Sequence, residues 1–176
     1  ALDATAGLSV AGNFSITGLA TLACGTSTLV LDGTGDQTVT TNAQTFNIIS
    51  IATRAAGTVT FNGVLNVADH VDAAGAGSYA VTISDGGYAV NASTFSNAGN
   101  LNLPDGFDFR GGLTHDTGNT YLSGAITSSN APIVLTDATP RTLFLTNVAS
   151  INTVNAGTGG NINLGAVSNA VRPNRQ

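Results

Sequence analysis

A weak internal repeat constrains the fold of this chain more than any other feature of its sequence. The segment Asn-Ala-Gln-Thr-Phe at 42–46 returns as Asn-Ala-Ser-Thr-Phe at 91–95 and, more loosely, as Asn-Val-Ala-Ser-Ile at 147–151. Each copy follows a β-branched run that ends in aspartate, and an alternating apolar strand comes after it. Such self-similarity is typical of proteins that stack one structural unit on the next. The units cover approximately residues 29–67, 81–109 and 133–167, preceded by a partial repeat at 8–16.

The repeated pattern predicts an all-β fold. Short apolar alternations recur about every 8–12 positions between turn pairs such as Asp32-Gly33 and Gly86-Gly87, and no window of about 11 residues has a helical apolar stripe. Either a parallel β-solenoid or an antiparallel β-sandwich would fit. Repetition favours the solenoid, because a single rung cannot bury its own interior whereas stacked rungs build a continuous core. We therefore expect residues 1–176 to form one solenoid unit, with Phe46 and Phe95 pointing inward and the asparagine that begins each repeat copy at a corner.

The composition agrees with strands and excludes several classes of partner. Charged residues make up 9% of the chain, against about 25% in an average soluble domain. With a net charge of −5 and no lysine, the chain lacks the basic patch that nucleic acid or an anionic membrane surface requires. No apolar run approaches the roughly 18 residues of a membrane span, so we expect no membrane insertion. Cys24 is the only cysteine, which excludes an internal disulfide.

Two stretches resemble known bacterial repeats. The segment 29–46, with Leu-Val-Leu-Asp-Gly-Thr-Gly-Asp-Gln-Thr-Val at its start, resembles the β-strand repeats of very large bacterial surface proteins. The segment 159–167, Gly-Gly-Asn-Ile-Asn-Leu-Gly-Ala-Val, is similar to repeats of filamentous-haemagglutinin-like adhesins. The resemblance implies a right-handed parallel β-helix, an extracellular or cell-surface location, and a stalk or adhesive role. It carries over no functional residues.

Two clusters of titratable residues are the candidates for chemistry. One is the stretch 69–72, Asp-His-Val-Asp, and the other contains Asp105, Asp108, His115 and Asp116. Paired carboxylates on one face could cleave polysaccharide or hold Ca²⁺. Aspartate is also a common turn residue, and neither histidine has the surroundings of a catalytic triad. We predict no catalytic, cofactor or metal site and no enzyme activity, and Asp105, Asp108, His115 and Asp116 are only weak candidates for a metal.

The predicted function is structural. We expect an extracellular protein, either a segment of a surface adhesin or a self-assembling filament subunit, because the open ends of a solenoid invite further strands. The expected partners are copies of the chain stacked head-to-tail or adjoining repeats of a longer chain, with surface glycans as a further candidate. A glycan-binding module, with Tyr79, Tyr88 and Tyr121 as the candidate aromatic residues, and a carbohydrate-active β-helix enzyme are the alternatives.

Three hydroxyl-rich triplets offer one more pattern. They are Thr-Val-Thr at 38–40 and 58–60 and Thr-Ile-Ser at 82–84. Stacked triplets would form a flat face of hydroxyl groups. Because the triplets occupy different positions in the repeat near 50 residues, we expect them on different sides of the solenoid.

Overall fold

The computed structural model describes residues 7–18, 21–73, 75, 77–135 and 142–169, and these residues form strands joined by turns, with no helix. The strands are β1 (Leu8–Val10), β2 (Phe14–Ser15), β3 (Thr28–Leu31), β4 (Gln37–Thr40), β5 (Thr45–Phe46), β6 (Ile48–Ile51), β7 (Thr58–Asn62), β8 (Leu65–Val67), β9 (Val71–Ala73), β10 (Ala80–Ile83), β11 (Gly87–Ala89), β12 (Ser93–Phe95), β13 (Leu101–Leu103), β14 (Gly106–Phe109), β15 (Leu113–Thr114), β16 (Thr120–Leu122), β17 (Ala125–Thr127), β18 (Ile133–Leu135), β19 (Thr142–Leu145), β20 (Ser150–Asn152), β21 (Ile162–Leu164) and β22 (Ala166–Asn169).

The strands form three parallel sheets that the chain visits in turn. Sheet A is β1-β3-β6-β9-β12-β15-β18-β21, sheet B is β2-β4-β7-β10-β13-β16-β19-β22, and sheet C is β5-β8-β11-β14-β17-β20. Every strand therefore pairs with the strand one turn earlier or later. Leu29 pairs with Ile49 and Ile49 with Val71, so one turn takes roughly 21 residues. This is a parallel β-solenoid of about seven turns, and the antiparallel sandwich is wrong because all pairings among the described strands are parallel.

The core consists of inward columns that run along the solenoid. In sheet A, Leu31, Ile51, Ala73 and Phe95 occupy the same register position on successive turns, and all four are buried. Alternate residues of each short strand point inward, since successive side chains of a strand face opposite sides. Phe46 is buried in the equivalent column of sheet C, so both phenylalanines point inward as predicted.

The length of one turn explains why the sequence repeat does not coincide with the structural one. The runs at 29–31 and 133–135 lie in sheet A, whereas the run at 81–83 lies in sheet B. Phe46 and Ile151 lie in sheet C and Phe95 in sheet A. A shift near 50 residues corresponds to roughly two and a half turns, so it exchanges one sheet for another. The repeated segments share a strand-corner-strand pattern, but they do not all stack on one another.

Asparagines and aspartates lie at the corners, as expected from their tolerance of left-handed backbone and their local hydrogen bonding. Asn42 and Asn147, which begin the first and third copies, have φ values of 48° and 56°. Asn91, which begins the second, instead donates from Nδ2 to Asp69 Oδ1 over 2.8 Å. At the corner before β4, Asp36 Oδ1 accepts a hydrogen bond from the backbone N–H of Thr58, one turn later, at 2.8 Å. These corner bonds link successive turns beyond the strand pairing.

Candidate functional surfaces

The cluster from Asp105 to Asp116 does not converge on a site. Asp108 points outward from sheet C, where it accepts Thr127 Oγ1 at 2.7 Å and Arg110 Nε at 2.9 Å. Asp105 and Asp116 are exposed in separate loops, Asp105 between β13 and β14 and Asp116 between β15 and β16. His115 points the other way, into the core, with 1% exposure, and its Nδ1 lies 2.9 Å from Thr120 Oγ1. The four weak candidates therefore share no common face. Among the described residues there is no group of three or more His, Cys, Asp or Glu that could hold a metal ion.

The second cluster, at 69–72, is a surface corner. His70 Nδ1 lies 2.9 Å from Asp69 Oδ1, and this hydrogen bond, followed by that from Asn91, lowers the pKa of Asp69. Asp72 faces outward in the middle of β9. His70 immediately precedes β9, whereas His115 follows β15 and is turned inward. The two histidines thus lie at opposite ends of sheet A strands and do not form a pair.

The three tyrosines have different surroundings, which narrows the candidates for an aromatic binding platform. Tyr79 is fully buried, and burial raises its pKa to about 12. Tyr88 lies on the outer face of sheet C, where the guanidinium of Arg110 covers its ring at 4.0 Å. Tyr121 lies on the outer face of sheet B and stacks on Phe144 of the next turn, with ring centroids 4.6 Å apart and planes 11° apart. Tyr121 adjoins a surface groove.

That groove crosses four neighbouring strands of sheet B and measures about 380 Å³. Its lining is formed by Thr82, Asn102, Leu103, Pro104, Tyr121, Ser123 and Thr146. Thr82, Asn102 and Tyr121 occupy one outward register position on successive turns, and the Nδ2 of Asn102 donates to Thr82 Oγ1 at 3.0 Å. No lining residue is charged. We refer to these seven residues as the Tyr121 groove.

The same outward column corrects the expectation about the hydroxyl triplets. Thr38 pairs with Thr60, and Thr60 pairs with Thr82, so the three triplets lie on consecutive strands of sheet B rather than on different sides. The expectation was wrong because it used the sequence repeat near 50 residues, whereas a turn takes roughly 21. Hydroxyl groups therefore continue the uncharged surface from the Tyr121 groove toward the first turns.

A buried arginine forms the polar corner between sheets A and B, and the sequence predictions did not include it. Arg54 is 3% exposed, and its Nη2 donates to Leu31 O at 2.7 Å and to Gln37 Oε1 at 3.1 Å. Its Nη1 donates to Gly35 O at 3.2 Å. Burial lowers the pKa of the guanidinium, partly offset by Tyr79 and Asp32. The only sequence signal is an isolated arginine between two strand patterns in a chain with few charges.

We expect Arg54→Met to lower the free energy of unfolding by about 2–3 kcal/mol, because buried acceptors lose a charged donor. Arg110→Met is the matched control. Arg110 is 43% exposed in its ion pair with Asp108, so its loss should cost less than about 1 kcal/mol. Urea unfolding followed by circular dichroism measures both. Equal costs for the two variants would show that the corner bonds of Arg54 contribute no net stability.

In the last described turn of the solenoid, residues that continue the inward-pointing columns are exposed to solvent. Ile133, Leu135 and Leu143 are buried, at 5% exposure or less. Their partners one turn later are Ile162, Leu164 and Val167, with 45%, 37% and 52% exposure. Together with neighbours from β19 and β20, these partners line an open cavity of about 270 Å³. The apolar core thus continues to the surface at this end. We call Ile162, Leu164 and Val167 the end face.

No described segment forms a helix with the length and apolar character needed to cross a membrane.

Comparisons with known proteins identify no relatives of this chain. The sequence matches no protein-family model, and searches of curated proteins and of solved structures find no significant similarity.

Proposed function

We propose that this chain is a structural, non-catalytic solenoid of the cell surface or extracellular space. Its role is to continue a stack of solenoid turns. The partner is a second copy stacked head-to-tail, as in a filament, or the adjoining repeats of a longer adhesin chain. The observation that carries the proposal is the end face, where residues of inward columns are exposed. The resemblance to bacterial surface repeats supports the proposed location.

Strand addition at the end face would satisfy two physical requirements at once. Among the described residues, β21 pairs only with β18 and β22 only with β19, so each presents an outer edge to a further parallel strand. A further turn would also cover the three apolar side chains, and burial contributes about 25 cal/mol for each Å² removed from water. At the opposite end, β1 and β2 likewise have one described neighbour each, and Leu8, Val10 and Phe14 are only half-buried. Sheets A and B therefore present a strand edge at both ends, as stacking of one copy on another requires.

We expect the purified chain to associate in a concentration-dependent way, and Ile162→Asp with Leu164→Asp to abolish this association. Two carboxylates in the end face would have to be desolvated without partners, which is costly. Val90→Asp, at a corner residue with 38% exposure, is the matched control and should associate normally. Sedimentation velocity and negative-stain electron microscopy measure the assemblies, and circular dichroism checks the fold of each variant.

Two results would overturn head-to-tail association. One is a wild-type chain that stays monomeric at every concentration, and the other is a folded double variant that associates as well as Val90→Asp. The catalytic alternative receives no support from the placement of Asp105 and Asp108, since neither carboxylate shares a face with the buried His115.

A further inference from the structure

The strands of sheet B carry no charged residue. The eight strands contain no Asp, Arg or His, whereas sheet A contains Asp72 and sheet C contains Asp108. Their outward residues are mainly threonine, serine and asparagine, with one aromatic pair at Tyr121 and Phe144. A surface of this kind has no electrostatic attraction for an ionic partner, but it offers many neutral donors and acceptors. It suits an uncharged partner rich in hydroxyl groups.

The ring of Tyr121 forms one wall of the Tyr121 groove. Phe144 covers the ring from the following turn at a centroid distance of 4.6 Å. On the preceding turn the same register position is occupied by Asn102, which is shorter than an aromatic residue. The stack of aromatic rings therefore ends at Tyr121. The groove lies where the shorter side chain of Asn102 adjoins the ring of Tyr121. Tyr121 lines the groove, and a flat apolar group that enters the groove can stack on the ring face that Phe144 does not cover.

Polar groups surround this ring face. The amide nitrogen of Asn102 is held by Thr82 Oγ1, which leaves the amide oxygen of Asn102 as an acceptor for a ligand. Ser123 Oγ accepts Asn147 Nδ2 at 2.9 Å, so its own hydroxyl hydrogen can be donated. Thr146 Oγ1 donates to Leu122 O at 3.2 Å, so at the same edge it offers its lone pairs as an acceptor. Donors and acceptors thus flank an aromatic face.

We propose that the Tyr121 groove binds a neutral oligosaccharide. A pyranose ring has an apolar C–H face that can stack on Tyr121 and equatorial hydroxyl groups that can bond with Asn102, Ser123 and Thr146. An acidic saccharide would meet no cation in the groove. The column Thr38, Thr60 and Thr82 extends from the groove, which Thr82 lines, toward the first turns, with one hydroxyl group for each strand spacing of about 4.8 Å. The lining supplies no carboxylate pair for glycoside cleavage, so the site binds saccharide without hydrolysing it.

The test uses defined hexamers as probes. Cellohexaose, maltohexaose and chitohexaose are titrated into the full chain by isothermal calorimetry and by NMR, with hexagalacturonate as the acidic comparison. We expect saturable binding of at least one neutral hexamer and none of the acidic one. Failure of all three neutral probes at millimolar concentration overturns the proposal, and so does preferential binding of hexagalacturonate.

Substitutions locate the site. Tyr121→Ala should weaken binding by about tenfold, because it removes the stacking face, whereas Tyr121→Phe should retain most of the affinity. Tyr88→Ala is the matched control, since the ring of Tyr88 is covered by Arg110 on sheet C. Equal loss in Tyr121→Ala and Tyr88→Ala, or no loss in either, would place the ligand elsewhere and overturn the assignment. The readout is independent of head-to-tail association, because the groove and the end face are separate surfaces and the Ile162→Asp, Leu164→Asp variant should bind saccharide normally.

Discussion

Gly87→Val is expected to lower the free energy of unfolding by at least about 4 kcal/mol, one of the largest effects of any single substitution in this chain. Gly87 begins β11 with a φ of 127°, in a backbone region that residues with a β-carbon rarely adopt. A β-carbon here would lie 1.9 Å from the carbonyl oxygen of Leu65, one turn earlier. That oxygen belongs to the backbone of β8 and cannot move aside alone. The turn must open to admit the side chain.

Gly35→Ala is the control for this substitution. A β-carbon at Gly35 would meet no atom within 4 Å, and its backbone is not in the left-handed region. The control should change stability by less than about 0.5 kcal/mol. Urea unfolding followed by circular dichroism compares the two variants through their midpoints. A Gly87→Val midpoint close to that of Gly35→Ala would show that successive turns are not held as closely as the structure describes.

Local sequence pattern was enough to predict the strands and the direction of their side chains. The alternation around Phe46 and Phe95 places every second residue in the core. The repetition of short apolar runs bounded by glycine and asparagine favours a parallel stack over an antiparallel sandwich. These properties depend on neighbouring residues, since the side-chain period of a strand is two. They hold whichever sheet a strand joins.

The length of a turn could not be predicted in the same way. Each of the three sheets has a similar alternation of small polar and β-branched residues. No residue type therefore distinguishes one sheet from another in the sequence. A match between 42–46 and 91–95 therefore relates strands of sheets C and A. The Thr38, Thr60 and Thr82 column becomes visible only when the register is known, although the three triplets are clear in the sequence.

The candidate sites depend even more strongly on register. The Tyr121 groove collects residues between positions 82 and 146 from four turns, and none of them forms a motif with its sequence neighbours. The end face is recognisable only by comparing Ile162 with Ile133 one turn earlier. Conversely, Asp108 and His115 are close in sequence, but they belong to different sheets. Asp108 faces the solvent, whereas His115 faces the core. Proximity in sequence was a poor guide to a shared site.

Phe95→Ala is expected to lower the free energy of unfolding by about 3–5 kcal/mol, the range for removing a buried phenylalanine ring. Phe95 has no exposed surface, and its ring meets Phe109 edge-on at a centroid distance of 6.2 Å. One turn earlier its column has Ala73, whose small side chain cannot fill the space, and the ring of His115 meets Phe95 edge-on at a centroid distance of 6.4 Å. The variant would therefore leave a cavity between sheets A and C.

Phe144→Ala separates this cavity effect from the general loss of an aromatic residue. Phe144 lies on the outer face of sheet B, half-buried against Tyr121, so its loss should cost about 1 kcal/mol. Hydrogen exchange adds the location: each turn contacts mainly its two neighbours, so Phe95→Ala should speed exchange first in β9, β12 and β15. Uniform acceleration from β3 to β19 would mean instead that the solenoid unfolds as one unit. In that case the stability added by a copy stacked on the end face would extend to every turn.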